Sequence, residues 1–169
     1  MLDTLSERYR DPFGETTPAP SIPMSSGCPK PRMVAIERSE SEQVRLSIGF
    51  PLFHRGHEDY YPMIMMNRIL GAGASSRLFM ILREQESLTY GAYSSLDLGR
   101  YGGDLISSLD CSPDKAARAL EGLDRELRRI RTMPIPESEL EQARRTLTGS
   151  FPNRALGLGG LAGLLSTQW

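Results

Sequence analysis

The stretch L-T-Y-G-A-Y-S-S-L-D-L-G-R-Y-G-G-D-L-I-S-S-L-D, Leu88 to Asp110, holds two runs of strand-forming residues joined at Gly99 to Gly103. Leu88 to Leu98 and Asp104 to Asp110 therefore read as the arms of a β-hairpin, with glycines supplying the turn. Immediately after it, Ser112, Pro113 and Asp114 give a cap, a proline at the first helical position and a first-turn acid. Ala116, Ala119, Leu120, Leu123, Leu127 and Ile130 then recur at spacings of three and four, which predicts an amphipathic helix. Glu121 with Arg125, and Asp124 with Arg128, should form exposed pairs along it, each worth about 0.3 kcal/mol.

Working outward toward the N-terminus, Ser75 or Ser76 can cap a helix running to Gln85. Before that, Met63 to Leu70 is apolar nearly all round until Gly71, which predicts a helix buried on most sides, with Glu58 and Asp59 near its start. Gln43 to Phe50 alternates Val44, Leu46, Ile48 and Phe50 with Arg45 and Ser47, the pattern of a half-buried strand, and Met33 to Glu37 is a further short strand candidate. Toward the C-terminus, Pro134 and Pro136 interrupt the chain, Glu137 to Gly149 restarts a helix with Leu140, Ala143 and Leu147 inward, and a glycine-diluted helical segment follows Pro152. This order of elements predicts an α+β domain: a two-layer sandwich with a mostly antiparallel sheet and helices on one face.

The organisation has three parts. Residues 1–14 read as the end of a helix broken by Asp11, Pro12 and Gly14, residues 15–32 as a proline-rich linker, and residues 33–169 as the folded domain. Leu156 to Trp169 is apolar and lacks a stop signal, so the domain is expected to be cut short at its C-terminus and, isolated, to self-associate.

Twenty basic against 21 acidic side chains leave a net charge of -1, which provides no field for a polyanion, so nucleic acid is not expected as a partner. No apolar run is long enough for a membrane span, and the charged residues between Leu2 and Asp11 do not form a secretory signal. A soluble chain of the bacterial cytoplasm or periplasm is expected. Cys28 and Cys111 supply neither a disulfide framework nor a metal spacing.

His54 and His57, the only histidines, are three apart with Gly56 between them and follow a strand. A helical zinc motif needs histidines four apart on one face and a third ligand, so the isolated domain is expected to bind no stoichiometric zinc. The loop Gly71-Ala72-Gly73-Ala74-Ser75-Ser76 lies between helices and lacks a lysine, so it reads as a tight turn with a serine cap rather than a phosphate cradle. Met63, Met65, Met66 and Met80 read as core filler. What remains is Arg83 near a helix end and Tyr90 seven residues later. From residue types alone, Arg83 paired to a nearby glutamate and a half-buried Tyr90 is the simpler reading, although a fixed cation and a phenol could also converge there.

Val44 to Pro51, Asp59-Tyr60-Tyr61-Pro62, Ile69 to Phe79, Leu82 to Ser94 and the E-x-E-L-x-x-A-R-x-x-L pattern from Glu137 to Leu147 together resemble the pitrilysin, insulin-degrading and mitochondrial processing peptidase group of zinc metallopeptidases. The chain contains no H-x-x-E-H, so the resemblance implies a second, zinc-free domain, with residues 1–14 closing the domain before it. It further implies peptide substrates, zinc in a partner half of the same chain or another subunit, and a role for Arg83 and Tyr90 reaching into that half's zinc site. The group's usual Gly-Leu-Thr-Tyr reads Ser87-Leu88-Thr89-Tyr90 here. Two function classes follow: a working part of a peptidase that hydrolyses nothing alone, or an inert scaffold or peptide-binding domain.

Overall fold

The computed structural model describes residues 30–38, 41–154 and 158–166. The helix end expected over residues 1–14 and nearly all of the linker lie outside the described residues. Strands β1 (Val44–Leu52), β2 (Gly91–Leu98) and β3 (Gly103–Cys111) form one antiparallel sheet in the order β1-β3-β2. The hairpin of β2 and β3 closes where the Gly99 amide donates to the Gly102 carbonyl at 2.8 Å, and it sets Tyr93 opposite Ser108. Along β1, side chains alternate between half-buried and exposed, as the sequence pattern requires of a strand with one covered face.

The covering layer is helical. It consists of α1 (Tyr60–Leu70), a π-helical segment (Phe79–Gln85), α2 (Ala116–Thr132) entered through a 3-10 turn (Pro113–Lys115), and α3 (Glu137–Arg154). A short helix, α4 (Leu158–Ser166), follows. Leu70, Leu78 and Leu82 from the α1 side, Leu105 and Leu109 from β3, and Ala119, Leu123 and Leu127 from α2 form one buried cluster between the layers. Two glycines permit close approaches between the elements of the core. A Cβ on Gly71 would lie 2.3 Å from the Ser94 amide of β2, and one on Gly122 would lie 2.6 Å from Leu82. The fold is thus the expected α+β sandwich with helices on one face.

Several local expectations need correction. Met33 to Glu37 forms no strand; Met33, Val34 and Ile36 are exposed, and apolar alternation cannot make a strand without a neighbouring edge to bond to. The β2 strand begins at Gly91, because Leu88 to Tyr90 serve as the connection from the π-helical segment. The helix for which Ser75 or Ser76 is the expected cap does begin directly after Ser76, at Arg77, but it is largely π-helical, and the Ser76 hydroxyl makes no capping bond among the described residues. Helix α1 is buried at Asn67, Ile69 and Leu70 only, its methionines being half-covered or so. Leu120 faces outward. Arg128 pairs with Asp124 as expected, but Arg125 reaches off its helix to Glu86 at 2.5 Å instead of taking Glu121. Helix α3 passes Gly149 and Pro152, the proline costing only a bond near the helix end.

Candidate functional site

Arg83 is carried by the π-helical segment, in which one residue more than an α-helix would need is accommodated by longer-range hydrogen bonds. The Glu86 amide donates to the Ile81 carbonyl at 2.9 Å, and the Leu88 amide to the Leu82 carbonyl at 2.8 Å. These bonds end the segment and turn the chain toward the sheet. Ser87, at the turn, has a φ of 51°, the left-handed conformation that a glycine adopts without a Cβ penalty. The serine that replaces the group's usual glycine therefore stands where glycine is the easier residue.

Thr89 fixes the next step. Its hydroxyl lies 2.6 Å from the Asp110 carbonyl of β3 and accepts the Gly91 amide at 3.0 Å, which fastens the connection to the sheet just before and after Tyr90. Tyr90 itself is 81% exposed, and nothing among the described residues bonds its hydroxyl or stacks on its ring. The half-buried tyrosine of the simpler sequence reading is not what the fold produces.

Arg83 is 44% exposed at its side chain, with its guanidinium 4.6 Å from the Phe79 ring centroid and its Nε 3.5 Å from Glu84 Oε1. The expected contact with a neighbouring glutamate is present, but as a loose surface pair of the kind worth little. Arg83 and Tyr90 line the same open cleft of about 450 Å³, together with Ser87, Thr89, Cys111 and Lys115.

Sequence reasoning missed Lys115. Its ammonium donates to the Ser87 carbonyl at 2.9 Å, so it touches the turn between Arg83 and Tyr90 from the far side of the cleft. No spacing could have found it, because Lys115 and Ser87 are 28 residues apart and meet only through the hairpin. Cys111 is buried, and burial, reinforced by the Asp110 and Asp114 carboxylates, pushes its thiol pKa up. It stays a thiol at neutral pH and is not a nucleophile.

The two histidines are occupied elsewhere. His54 Nδ1 accepts the Gly56 amide and His57 Nδ1 the Asp59 amide, each at 3.1 Å, and the His57 ring stacks on Phe53 at 4.2 Å between centroids. Among the described residues no group of three or more histidine, cysteine, aspartate or glutamate side chains could hold a metal ion. These residues do not fit a zinc site.

The chain belongs to the family described as the peptidase M16 inactive domain, whose sequence profile matches residues 3–147. It is 33% identical over 121 residues to an uncharacterized zinc protease of Mycobacterium bovis, covering 72% of this chain and 27% of that one. It is 31% identical over 114 residues to an uncharacterized zinc protease of Bacillus subtilis, covering 68% of this chain and 28% of that one. The chain thus spans about a quarter of the length of these curated relatives. A crystal structure described as a peptidase M16 inactive domain from Pseudomonas fluorescens matches with a TM-score of 0.63 at 28% identity, over 65% of this chain and 27% of that one. The resemblance read from the sequence is borne out. No helix among the described residues is long and apolar enough to cross a membrane.

Proposed function

We propose that this chain is the substrate-facing, zinc-free domain of a zinc peptidase, and that Arg83 and Tyr90 complement a zinc site carried by a partner half, in the same polypeptide or another subunit. The observation that carries this reading is that both side chains line one open cleft and that the Tyr90 hydroxyl has no partner among the described residues. A phenol displayed in that way forgoes the stabilisation that burial of its ring would give.

A zinc held by that partner half would supply an activated water. Tyr90 donates its hydroxyl proton in a hydrogen bond to the oxyanion that develops on the peptide carbonyl, where charge appears only as the bond to water forms. Arg83, always charged and forked, holds peptide carbonyl oxygens in line before and during that step. The Phe79 ring and Glu84 hold the guanidinium without burying it.

The test is the full assembly with its zinc-bearing half. Tyr90→Phe should lower kcat about 100- to 1,000-fold with little change in KM, the signature of a donor used mainly in the transition state. Near-normal kinetics in a folded assembly would refute the catalytic role. The remaining reading, to which the family's description as an inactive domain lends support, would then be an inert scaffold or peptide-binding domain.

A further inference from the structure

Lys115 is the second cation of the cleft, and its position is costly for the helix that carries it. It stands at the N-terminal end of α2, where the aligned peptide dipoles are positive and an acid is the favoured residue. The preceding Asp114 already fills that role, its carboxyl held below the usual value first by the Ser112 hydroxyl. Lys115 therefore does nothing for the helix that Asp114 does not do better.

Its charge acts on the neighbouring Asp114 carboxylate without closing an ion pair with it. Arg83 has Glu84 beside it, Arg125 has Glu86 and Glu126, and Asp110 at the other end of the connection is engaged by Arg45. Lys115 forms no ion pair among the described residues; one of its three N–H groups donates to the neutral Ser87 carbonyl. Lys115 lines the cleft together with Tyr90, and that bond leaves two donors over. The result is a half-buried cation, fixed in place and facing the same space as the proposed catalytic pair.

We infer that Lys115 is a specificity residue, its ammonium pairing with an acidic side chain of the peptide that lies across Arg83 and Tyr90. This rests on the reading of the cleft as substrate-facing. An ion pair in an open cleft contributes modestly, so a glutamate-containing peptide should be favoured over its glutamine isostere by about 5-fold in kcat/KM. The preference should weaken in about 0.5 M salt, where screening reaches within a few ångströms.

The experiment compares matched peptides carrying Glu or Gln at each position flanking the cleaved bond, in the full assembly. Lys115→Met should bring the best Glu-to-Gln ratio to about 1, Lys115→Glu should invert it, and Lys115→Arg should keep it. A purely structural Lys115, needed only to hold the Ser87 carbonyl, would lower kcat/KM for both peptides alike and leave the ratio unchanged; that outcome overturns the inference, as does a wild-type ratio of 1 at every position. Tyr90→Phe assayed in parallel separates the two readings. A normal rate for Tyr90→Phe with a ratio that follows Lys115 would retain the specificity role and reject the catalytic one. A slowed Tyr90→Phe with a ratio indifferent to Lys115 would do the reverse.

Discussion

Arg77 and Arg83 stand six residues apart on one continuous stretch, and the fold treats them in opposite ways. Arg77 is 8% exposed and sends its Nε to Glu139 of α3 at 2.8 Å, with its Nη1 left without a partner among the described residues. Arg83 is solvent-facing and bound only loosely to Glu84. The first guanidinium ties two helical elements together; the second is held at the rim of a cleft and left available. The same residue type is structural where desolvation forces a partner on it, and stays available to a ligand where the fold supplies only a loose one.

That contrast can be broken by mutation. Glu139→Gln removes the carboxylate that compensates a buried guanidinium, and because Glu139 is about one-third exposed the loss should be about 2 kcal/mol, below the range for fully buried pairs. Chemical denaturation of the chain would measure it, and Arg83→Ala measured alongside should stay within about 0.5 kcal/mol of wild type. In the full assembly the order should reverse: Arg83→Ala should raise KM roughly 10-fold while Glu139→Gln leaves KM near normal. A destabilised Arg83→Ala, or an unaffected Glu139→Gln, would erase the distinction.

A smaller effect sharpens the description of the rim. Ser87→Gly relieves a Cβ held at φ 51° but loosens the unfolded chain, so the net gain should be about 0.5 kcal/mol, read as a raised Tm. Loss of stability would mean that the serine hydroxyl has a use not seen among its contacts.

The smallest expected effect comes from a pair fully in water. Arg45 donates from Nε and Nη2 to the two carboxylate oxygens of Asp110, at 2.7 and 2.8 Å, and that bond holds the Asp110 carboxyl below its ordinary value of 3.8. A carboxyl whose folded value is depressed stabilises the fold above the unfolded value and loses that contribution as pH falls through the folded one. The Tm difference between wild type and Arg45→Met should therefore be constant at neutral pH and shrink below about pH 4, in a thermal titration. A difference that persisted in acid would assign Arg45 a packing role instead.

The layers of the fold were legible because they rest on periodicity and punctuation. Pro113 with the apolar series Ala119, Leu123 and Leu127 marked α2, and the alternation of Val44 to Phe50 marked β1. What failed depended on neighbours distant in sequence. Met33, Val34 and Ile36 have the composition of a strand and no edge to join, and Arg125 finds Glu86, 39 residues away, more readily than Glu121 one turn back. Glu126 reads as surface charge yet is 1% exposed between Arg125 and Arg129. At the site, Arg83 and Tyr90 were readable only through a family resemblance, while Lys115, contributed by the element after the hairpin, left no local signal at all.

The π-helical geometry around Arg83 has a consequence for sequence length. Such a segment holds one residue beyond what an α-helix of the same span requires, so deleting a single position between Phe79 and Leu82 would let it relax into an ordinary helix. Because the extra residue is absorbed inside the segment, the residues on either side would keep their places, and Arg83 would still reach the cleft. Between chains of this kind, a one-residue gap at this place would therefore be tolerated where the same gap in a regular helix would turn every later side chain by about 100°.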